Sequence, residues 1–340
     1  MCLFPKLIQN RKYISNKKNG GIVPVPIDKR VLQVPVGCGK CMECRKQKSR
    51  QWQARLENEV KVNDNGKFVT LTFTNESIAK LAEEANTEKV ITGIKKVFTD
   101  KNGKIRKRYN YNNIVVKNKI TGYDLDNKIA KIAVRSFLER WRKKYGKSLR
   151  HWLVTELGHS GTEHLHLHGI VWTNESLDDL EKIWSYGYVW KGKGEHLENY
   201  VNEKTVRYLV KYVSKDDQQH KEYNPIILAS AGIGNQFCES FEARKIKYNG
   251  NNTIEYYKTR TGHKIALPIY WRNKLFSEEE REKLWLQKLD KQERWILGER
   301  IDISQGEQDY YEVLDWYRAK NKRLGYGDDS KNWDRIKYKN

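Results

Sequence analysis

Three histidines at positions 164, 166 and 168, separated by Leu165 and Leu167, constrain this chain more than any other stretch. A strand turns successive side chains to opposite faces, so the imidazoles share one face and the leucines take the other. The preceding WLVTEL (152–157) alternates as well, and Ser160-Gly161-Thr162 supplies turn chemistry. His151–Trp172 therefore reads as a β-hairpin. A three-residue loop at 160–162 sets Glu156 opposite His166 and on the histidine face, whereas a slip of one residue sends it to the other face. Glu156 with two of those histidines makes a carboxylate and imidazole donor set with open positions, suited to a catalytic divalent metal. The plain alternative is a strand of half-exposed histidines that bind nothing. Threefold repetition beside a carboxylate favours the metal.

The chain has 340 residues, enough for one large domain with appendages or for two domains. Lys and Arg number 65 against 43 Asp and Glu, a net charge of +22 that calls for a polyanionic partner, nucleic acid before others. Eleven Trp and 20 Tyr could stack on unpaired bases, although a structural aromatic core would use them equally well. MCLFPKLIQNRKY has only a short apolar run, and nothing downstream approaches the ~20 apolar residues of a membrane span. Five cysteines without a secretory signal argue for a reducing compartment and against a disulfide framework.

Residues 1–35 read as strand fragments between polar turns. Cys38, Cys41 and Cys44 follow, each separated by two residues, a spacing that lets thiolates converge on one metal. A closed tetrahedral zinc site needs a fourth ligand, and Cys2 is the economical candidate. An iron–sulfur cluster accepts the same spacing, and free thiols opening a helix are the alternative to both. The next helix carries Arg45, Lys46, Lys48, Arg50 and Arg55, a basic face fit for phosphates. KFVTLTFTN (67–75) reads as a central strand.

Residues 84–125 look like a basic hairpin insertion turning at Asn102-Gly103. Asp126 then caps a helix whose buried stripe is Ile129, Ile132, Ala133, Phe137 and Trp141, stopped by Gly146. Strand, insertion, helix and hairpin make an α+β order. Another helix is expected at ESLDDLEKIW and a short aromatic strand at YGYVWKG. In 202–217, Val206, Leu209, Val210 and Val213 share one helical face, with Tyr208, Lys211, Tyr212 and Lys215 opposite. LASAGIGNQF (228–237) is a glycine-broken loop without the lysine of a P-loop. Cys238 reads as a buried small hydrophobe. Ser277 and Glu280 form a capping box for a helix to about Leu297, and a last helix is expected in DYYEVLDWYRAKNKRLG.

A metal site beside two tyrosines in a basic protein suits phosphodiester transesterification. A phenol, with a pKa of ~10, is a poor nucleophile at neutral pH. Nearby lysines favour its phenolate, and a metal polarises the scissile phosphate. Tyrosines at i and i+4 face one site, so one can hold a DNA end while the other cuts.

HLHG (166–169), YLVKYVSK (208–215) and FVTLTF (68–73) together resemble the motifs of the HUH endonucleases, which carry His-hydrophobic-His on a strand and one or two tyrosines on a later helix. MCL at the start, CGKCMEC, the paired tyrosines and SAGIG resemble the replication initiators of small single-stranded DNA bacteriophages, the microviruses. The resemblance reaches to about residue 285. It implies a ferredoxin-like or RRM-like core with a central antiparallel sheet, flanked by an N-terminal Cys-rich element and a mostly helical C-terminal extension. The divisions expected are 1–60, 61–225 with the insertion at 84–125, and 226–340. It also implies rolling-circle initiation: metal-dependent nicking and joining of single-stranded DNA at an origin hairpin, through a 5′-phosphotyrosine that leaves a free 3′-OH.

Carried over by position, His166 and His168 become ligands for Mg²⁺ or Mn²⁺ and Glu156 the third, while Tyr208 and Tyr212 become the nucleophiles. Lys211 would support phosphate or phenolate. His164 leaves the pair open between 164/166 and 166/168, and the HGIVW continuation favours the latter. The cytoplasm of a bacterial host is the expected location, with host helicase and polymerase as partners, since no ATP-binding lysine loop is present. Two other readings stand beside this one: a non-catalytic nucleic-acid-binding protein whose Cys and His sites hold zinc, and a plasmid-type initiator or transposase using the same chemistry.

Overall fold

The computed structural model describes residues 2–327 except 101, 117, 160–162, 192–200, 216, 218 and 261. In chain order it holds β1 (Lys6–Gln9), β2 (Gln33–Val36), α1 (Met42–Val62), β3 (Gly66–Leu71), α2 (Asn75–Ala85), β4 (Thr87–Thr99) and β5 (Ile105–Val115). Next come α3 (Gly122–Tyr145), β6 (Arg150–Leu157), β7 (Leu165–Trp172), α4 (Leu177–Trp184), β8 (Val189–Trp190), α5 (Glu203–Ser214) and β9 (Ile227–Ala229). The remainder is α6 (Phe241–Arg244), β10 (Tyr256–Lys258), β11 (Lys264–Ala266), α7 (Ile269–Leu275), α8 (Glu278–Asp290), β12 (Glu293–Ile296), β13 (Glu299–Asp302) and α9 (Gln308–Arg323). The class is mixed α+β with antiparallel sheets, as the element order implied. No helix among the described residues is long and apolar enough to cross a membrane.

The main sheet has five strands in the order β8-β3-β7-β6-β9, and every adjacent pair is antiparallel. Its two faces carry different cores. Leu153, Leu157, Leu165, Leu167 and Val171 pack with Ile129, Phe137 and Trp141 of α3 and Trp184 of α4. The opposite face sets Trp152, Val154, Ile170 and Trp172 against Leu56 of α1 and Val206, Leu209, Val210 and Val213 of α5. The valine stripe of α5 thus buries as the sequence predicted, and an Asn202–Thr205 capping box starts that helix.

Strands β6 and β7 pair with Glu156 opposite His166 and Leu157 opposite Leu165, the register expected from the alternation. The Ser160-Gly161-Thr162 turn lies outside the described residues. Gly169 permits the close approach of the two strands, because a Cβ there would sit 2.1 Å from the Trp152 carbonyl oxygen. The insertion forms the β4–β5 ribbon, exposed along β5 and carrying Lys95, Lys96, Lys104, Arg106, Lys107 and Arg108.

Three expectations need correction. Helix α3 starts at Gly122 with Thr121 as N-cap, and Asp126 lies buried inside it. Tyr123 and Leu125 belong to the core and extend the helix back by a turn. Helix α8 ends at Asp290 rather than near Leu297. The following residues form the β12–β13 hairpin, turning at Leu297 and Gly298, both at positive φ. It delivers Ile296 and Ile301 to a core shared with Leu3, Cys41 and Met42. Finally, α1 is not a free basic face. Arg45 is buried and donates to the Tyr223 carbonyl, while Arg55 lies 4.1 Å from the ring centres of both Trp52 and Tyr270 and donates to the Ile233 carbonyl. Lys46 and Arg50 are the exposed ones.

One buried carboxylate fastens α1 to the sheet. Glu59, fully buried, accepts from Arg150 Nε at 2.5 Å, Arg150 Nη2 at 2.8 Å and the Gly234 backbone N–H at 2.7 Å. Gly234 has φ +69, and a Cβ there would come 2.5 Å from the Arg55 carbonyl, so the glycine-broken loop serves packing on α1. Removing one partner of a buried pair leaves the other uncompensated. Arg150 keeps about a third of its side chain exposed, which moderates the effect. Glu59→Ala should lower stability by ~3 kcal/mol, read as the shift of the urea midpoint at constant slope; a shift below ~1 kcal/mol would remove the anchoring role.

Candidate functional site

The histidine face of β7 opens into a cleft of about 630 Å³ lined by Phe68, Thr70 and Thr72, Glu156 and His159, His166 and His168, Tyr188 and Trp190, and Tyr208. Antiparallel pairing sets Thr70 of β3 opposite His168, and its Oγ1 lies 2.9 Å from His168 Nδ1. With Nδ1 held there, Nε2 faces Glu156 Oε2 at 2.7 Å. The other carboxylate oxygen accepts from Lys215 Nζ at 2.7 Å. His166 stands beside His168, ring centres 6.3 Å apart and planes 25° from parallel. His164 precedes β7 and is half-buried.

Helix α5 lays its tyrosines over this floor. The Tyr212 ring stacks on His168 at 4.4 Å with an interplanar angle of 5°. Tyr208 is one turn earlier and 48% exposed, and its hydroxyl meets that of Tyr212 at 2.5 Å. Phe68 packs edge-on to both Tyr208 and Trp190, which gives the cleft an aromatic wall. Lys211 is exposed, and no hydrogen bond or ion pair among the described residues joins it to the cleft. Lys215, the C-cap residue of α5, makes that contact instead, because the chain turns at the helix end and aims it back over β6.

Electrostatics separates these groups. Burial opposes the Glu156 charge, but hydrogen bonds from His168 and Lys215 outweigh it and hold the carboxyl below its ordinary 4.5. Burial, with the neighbouring His168 next, pushes His166 down, which keeps that imidazole neutral and able to ligate. Tyr212 is pushed well above the ordinary phenol value by burial, then by its hydrogen bond with Tyr208 and the nearby Glu156 charge. The expectation that lysines favour its phenolate is therefore reversed for the protein alone. Ionising Tyr212 requires a positive charge to offset Glu156.

The described residues contain two groups of three or more potential ligands whose donor atoms all lie within 4.8 Å of one another, Cys2/Cys38/Cys41/Cys44 and His159/Asp217/His220. The first is the cysteine set read from the spacing, and it can hold a metal. Cys2 Sγ lies 3.9 Å from Cys41 Sγ, and hydrogen bonds from Cys2, then Cys41 and Cys44, hold Cys38 far below the ordinary thiol range. Cys238 is half-buried against a separate core and is pushed up by burial. Glu156, His166 and His168 do not form such a group: Glu156 closes on His168, and the three donor atoms are not all within 4.8 Å. Their chemistry still fits a divalent cation, since neutral imidazole and carboxylate donors face one cleft and Thr70 orients His168 from behind.

Sequence reasoning passed over Thr70, His159, Asp217 and His220. Thr70 carries no local signal, because its role depends on strand pairing. The SKDD and QH pairs immediately after the tyrosine helix were the available hint for the others.

Residues 121–217 match the family model described as replication-associated protein ORF2. That stretch runs from the N-cap of α3 to Asp217, so it includes Glu156, His166, His168, both tyrosines and Lys215. The match supports a role as a replication initiator. No curated protein and no solved structure matches the chain.

The depressed Glu156 pKa fixes a pH dependence. Its stabilising contribution is complete above the ordinary 4.5 and is lost as pH falls through the lower folded-state value. In cation-free buffer, the stability advantage of the wild type over Glu156→Gln should therefore be present at pH 7 and shrink below pH 4.5. Urea midpoints of both proteins across that range test it; a gap that does not change with pH contradicts the assignment.

Proposed function

We propose that this protein is a rolling-circle replication initiator that nicks and rejoins single-stranded DNA through a tyrosine intermediate, of the HUH type found in microviruses. The observation that carries the reading is the stacking of Tyr212 on His168, with the Tyr208 hydroxyl against that of Tyr212 and Glu156 beneath them. The strand order β8-β3-β7-β6, with α3 and α4 on one face, supports a ferredoxin-like HUH core. The family match over the same residues supports it independently.

In this reading the phenolic oxygen of one tyrosine attacks the scissile phosphorus. The 3′ oxygen leaves as a hydroxyl, and the 5′ phosphoryl group remains on the tyrosine. The second tyrosine repeats the attack on a later strand, so ends are exchanged rather than hydrolysed. His166, His168 and Glu156 would hold Mg²⁺ or Mn²⁺, which when bound supplies positive charge to the scissile phosphate and to an ionising phenol. Lys215 holds Glu156 ionised in its absence, and Lys211 is placed to meet the DNA backbone from the exposed side of α5. Tyr188, Trp190 and Phe68 offer ring faces to unpaired bases, and the lysines and arginines of the β4–β5 ribbon offer charge to phosphates. Origin hairpin DNA, host helicase and host polymerase would be the partners, in the host cytoplasm. The Cys2/Cys38/Cys41/Cys44 set would hold structural zinc.

The presence of two compact donor groups outside the tyrosine cleft favours a second reading, a non-catalytic nucleic-acid-binding protein stabilised by metal. One experiment separates the two. Protein, Mn²⁺ and labelled single-stranded origin-bearing DNA are mixed and run on a denaturing gel, with an EDTA control. A labelled band at protein mass is expected, lost with EDTA and in the Tyr208→Phe/Tyr212→Phe double variant. DNA binding without any adduct would leave the binding-protein reading in place.

A further inference from the structure

The second donor group lies outside the proposed tyrosine chemistry, and it is built as metal sites are built. His159 follows β6, while Asp217 and His220 follow α5, so the cluster joins the end of the histidine hairpin to the exit of the tyrosine helix. Asp217 Oδ2 is 2.8 Å from His220 Nδ1 and 3.5 Å from His159 Nε2. Two ligands each ~2.1 Å from one ion, at tetrahedral or octahedral angles, stand ~3.0–3.4 Å apart. The observed spacings therefore bracket what an ion requires with small adjustments of side chains.

The ring nitrogens that face away from Asp217 are also provided for. His159 Nδ1 lies 3.1 Å from Gln219 Oε1. His220 is 2% exposed, and its Nε2 has no hydrogen bond but faces Glu163 Oε2 at 3.4 Å. Gln219 Nε2 in turn donates to the other Glu163 oxygen at 2.9 Å, and the Asp217 Oδ1 atom accepts the Gln219 and His220 backbone N–H groups. Outer partners of this kind set the tautomer and aim of metal-ligating histidines. An ordinary surface pair needs none of them.

We propose that His159, Asp217 and His220 form a transition-metal site for a borderline divalent ion such as Zn²⁺, which fastens the hairpin loop to the segment after the tyrosine helix. Two imidazoles and one carboxylate select Zn²⁺ and its neighbours over Mg²⁺, which prefers oxygen donors. The site communicates with the cleft through Lys215. Its ammonium lies 2.9 Å from His159 Nε2 and 2.7 Å from Glu156 Oε1, between the two donor sets. An ion on His159 displaces that ammonium, leaving Lys215 to Glu156 alone. The site stands whether or not the protein nicks DNA.

The test uses the full chain, stripped of metal and titrated with Co²⁺ in excess Mg²⁺. Bound metal is counted by mass spectrometry after equilibrium dialysis, and the thiolate-to-cobalt charge-transfer band reports ions at the cysteines. One ion per chain beyond those carrying the thiolate band is expected. That ion should be lost or bound at least about tenfold more weakly in His159→Ala and in Asp217→Asn. His159 is partly exposed, so its replacement does not threaten folding. Lys215→Met should bind the same ion several-fold more tightly, because it removes the competing ammonium. If every bound ion carries the thiolate band, or if His159→Ala and Asp217→Asn bind like the wild type, the site does not exist.

Discussion

The pairing register of β6 with β7 is the constraint on which the rest depends. Leu153, Leu157, Leu165 and Leu167 are fully buried on one side of the sheet, while Glu156, His166 and His168 look out on the other. A one-residue slip would exchange them. Four leucines at ~1.5–3 kcal/mol each approach the whole ~5–15 kcal/mol stability of a typical domain, before the cost of burying a carboxylate. Gly169 adds a steric lock, since no side chain fits between it and the Trp152 carbonyl. The core therefore determines where the cleft's donors point.

On that floor the tyrosine helix is positioned by its apolar face rather than by its functional one. Val206, Leu209, Val210 and Val213 pack with Trp152, Val154 and Leu56, and Ser49 of α1 donates to the Val210 carbonyl. Packing on two sides leaves Tyr208 and Tyr212 directed into the cleft. Stacking on His168 then buries Tyr212 enough to hold it protonated. Under the proposed chemistry, this keeps a nucleophile close but inactive until positive charge is brought beside Glu156. Such a restraint suits a chain of net charge +22 that meets nucleic acid readily.

The N-terminal and C-terminal segments are tied to each other at the cysteine set. Leu3, Cys41 and Met42 share a core with Ile296, Ile301, Leu314 and Tyr326, and the Met42 backbone N–H donates to Asn321 Oδ1 at 2.8 Å. Arg318 Nε reaches back to the Leu3 carbonyl. The segment from β12 to Tyr326, which the motifs did not cover, thus braces the cysteines and the start of α1. Helix α1 in turn supports α5, so a metal at the cysteines would stabilise the tyrosine helix from a distance.

The sequence by itself determined what periodicity and spacing can encode. The alternation at 152–168 set the faces and register of the hairpin, the valine stripe set the buried side of α5, and C-x-x-C-x-x-C with Cys2 marked a convergent thiol set. Local signals also placed Gly146 as a helix stop and Asn102-Gly103 as a ribbon turn. They failed where tertiary packing overrides local preference: core contacts of Tyr123 and Leu125 moved the start of α3, and burial of Ile296 and Ile301 turned a helical run into a hairpin. Only the tertiary structure decided that Lys215 rather than Lys211 meets Glu156, that Thr70 orients His168, and that His159 joins Asp217 and His220. Those contacts join segments about sixty to a hundred residues apart. No period or spacing records them, because they arise from how closely separately folded elements approach once their apolar faces are buried.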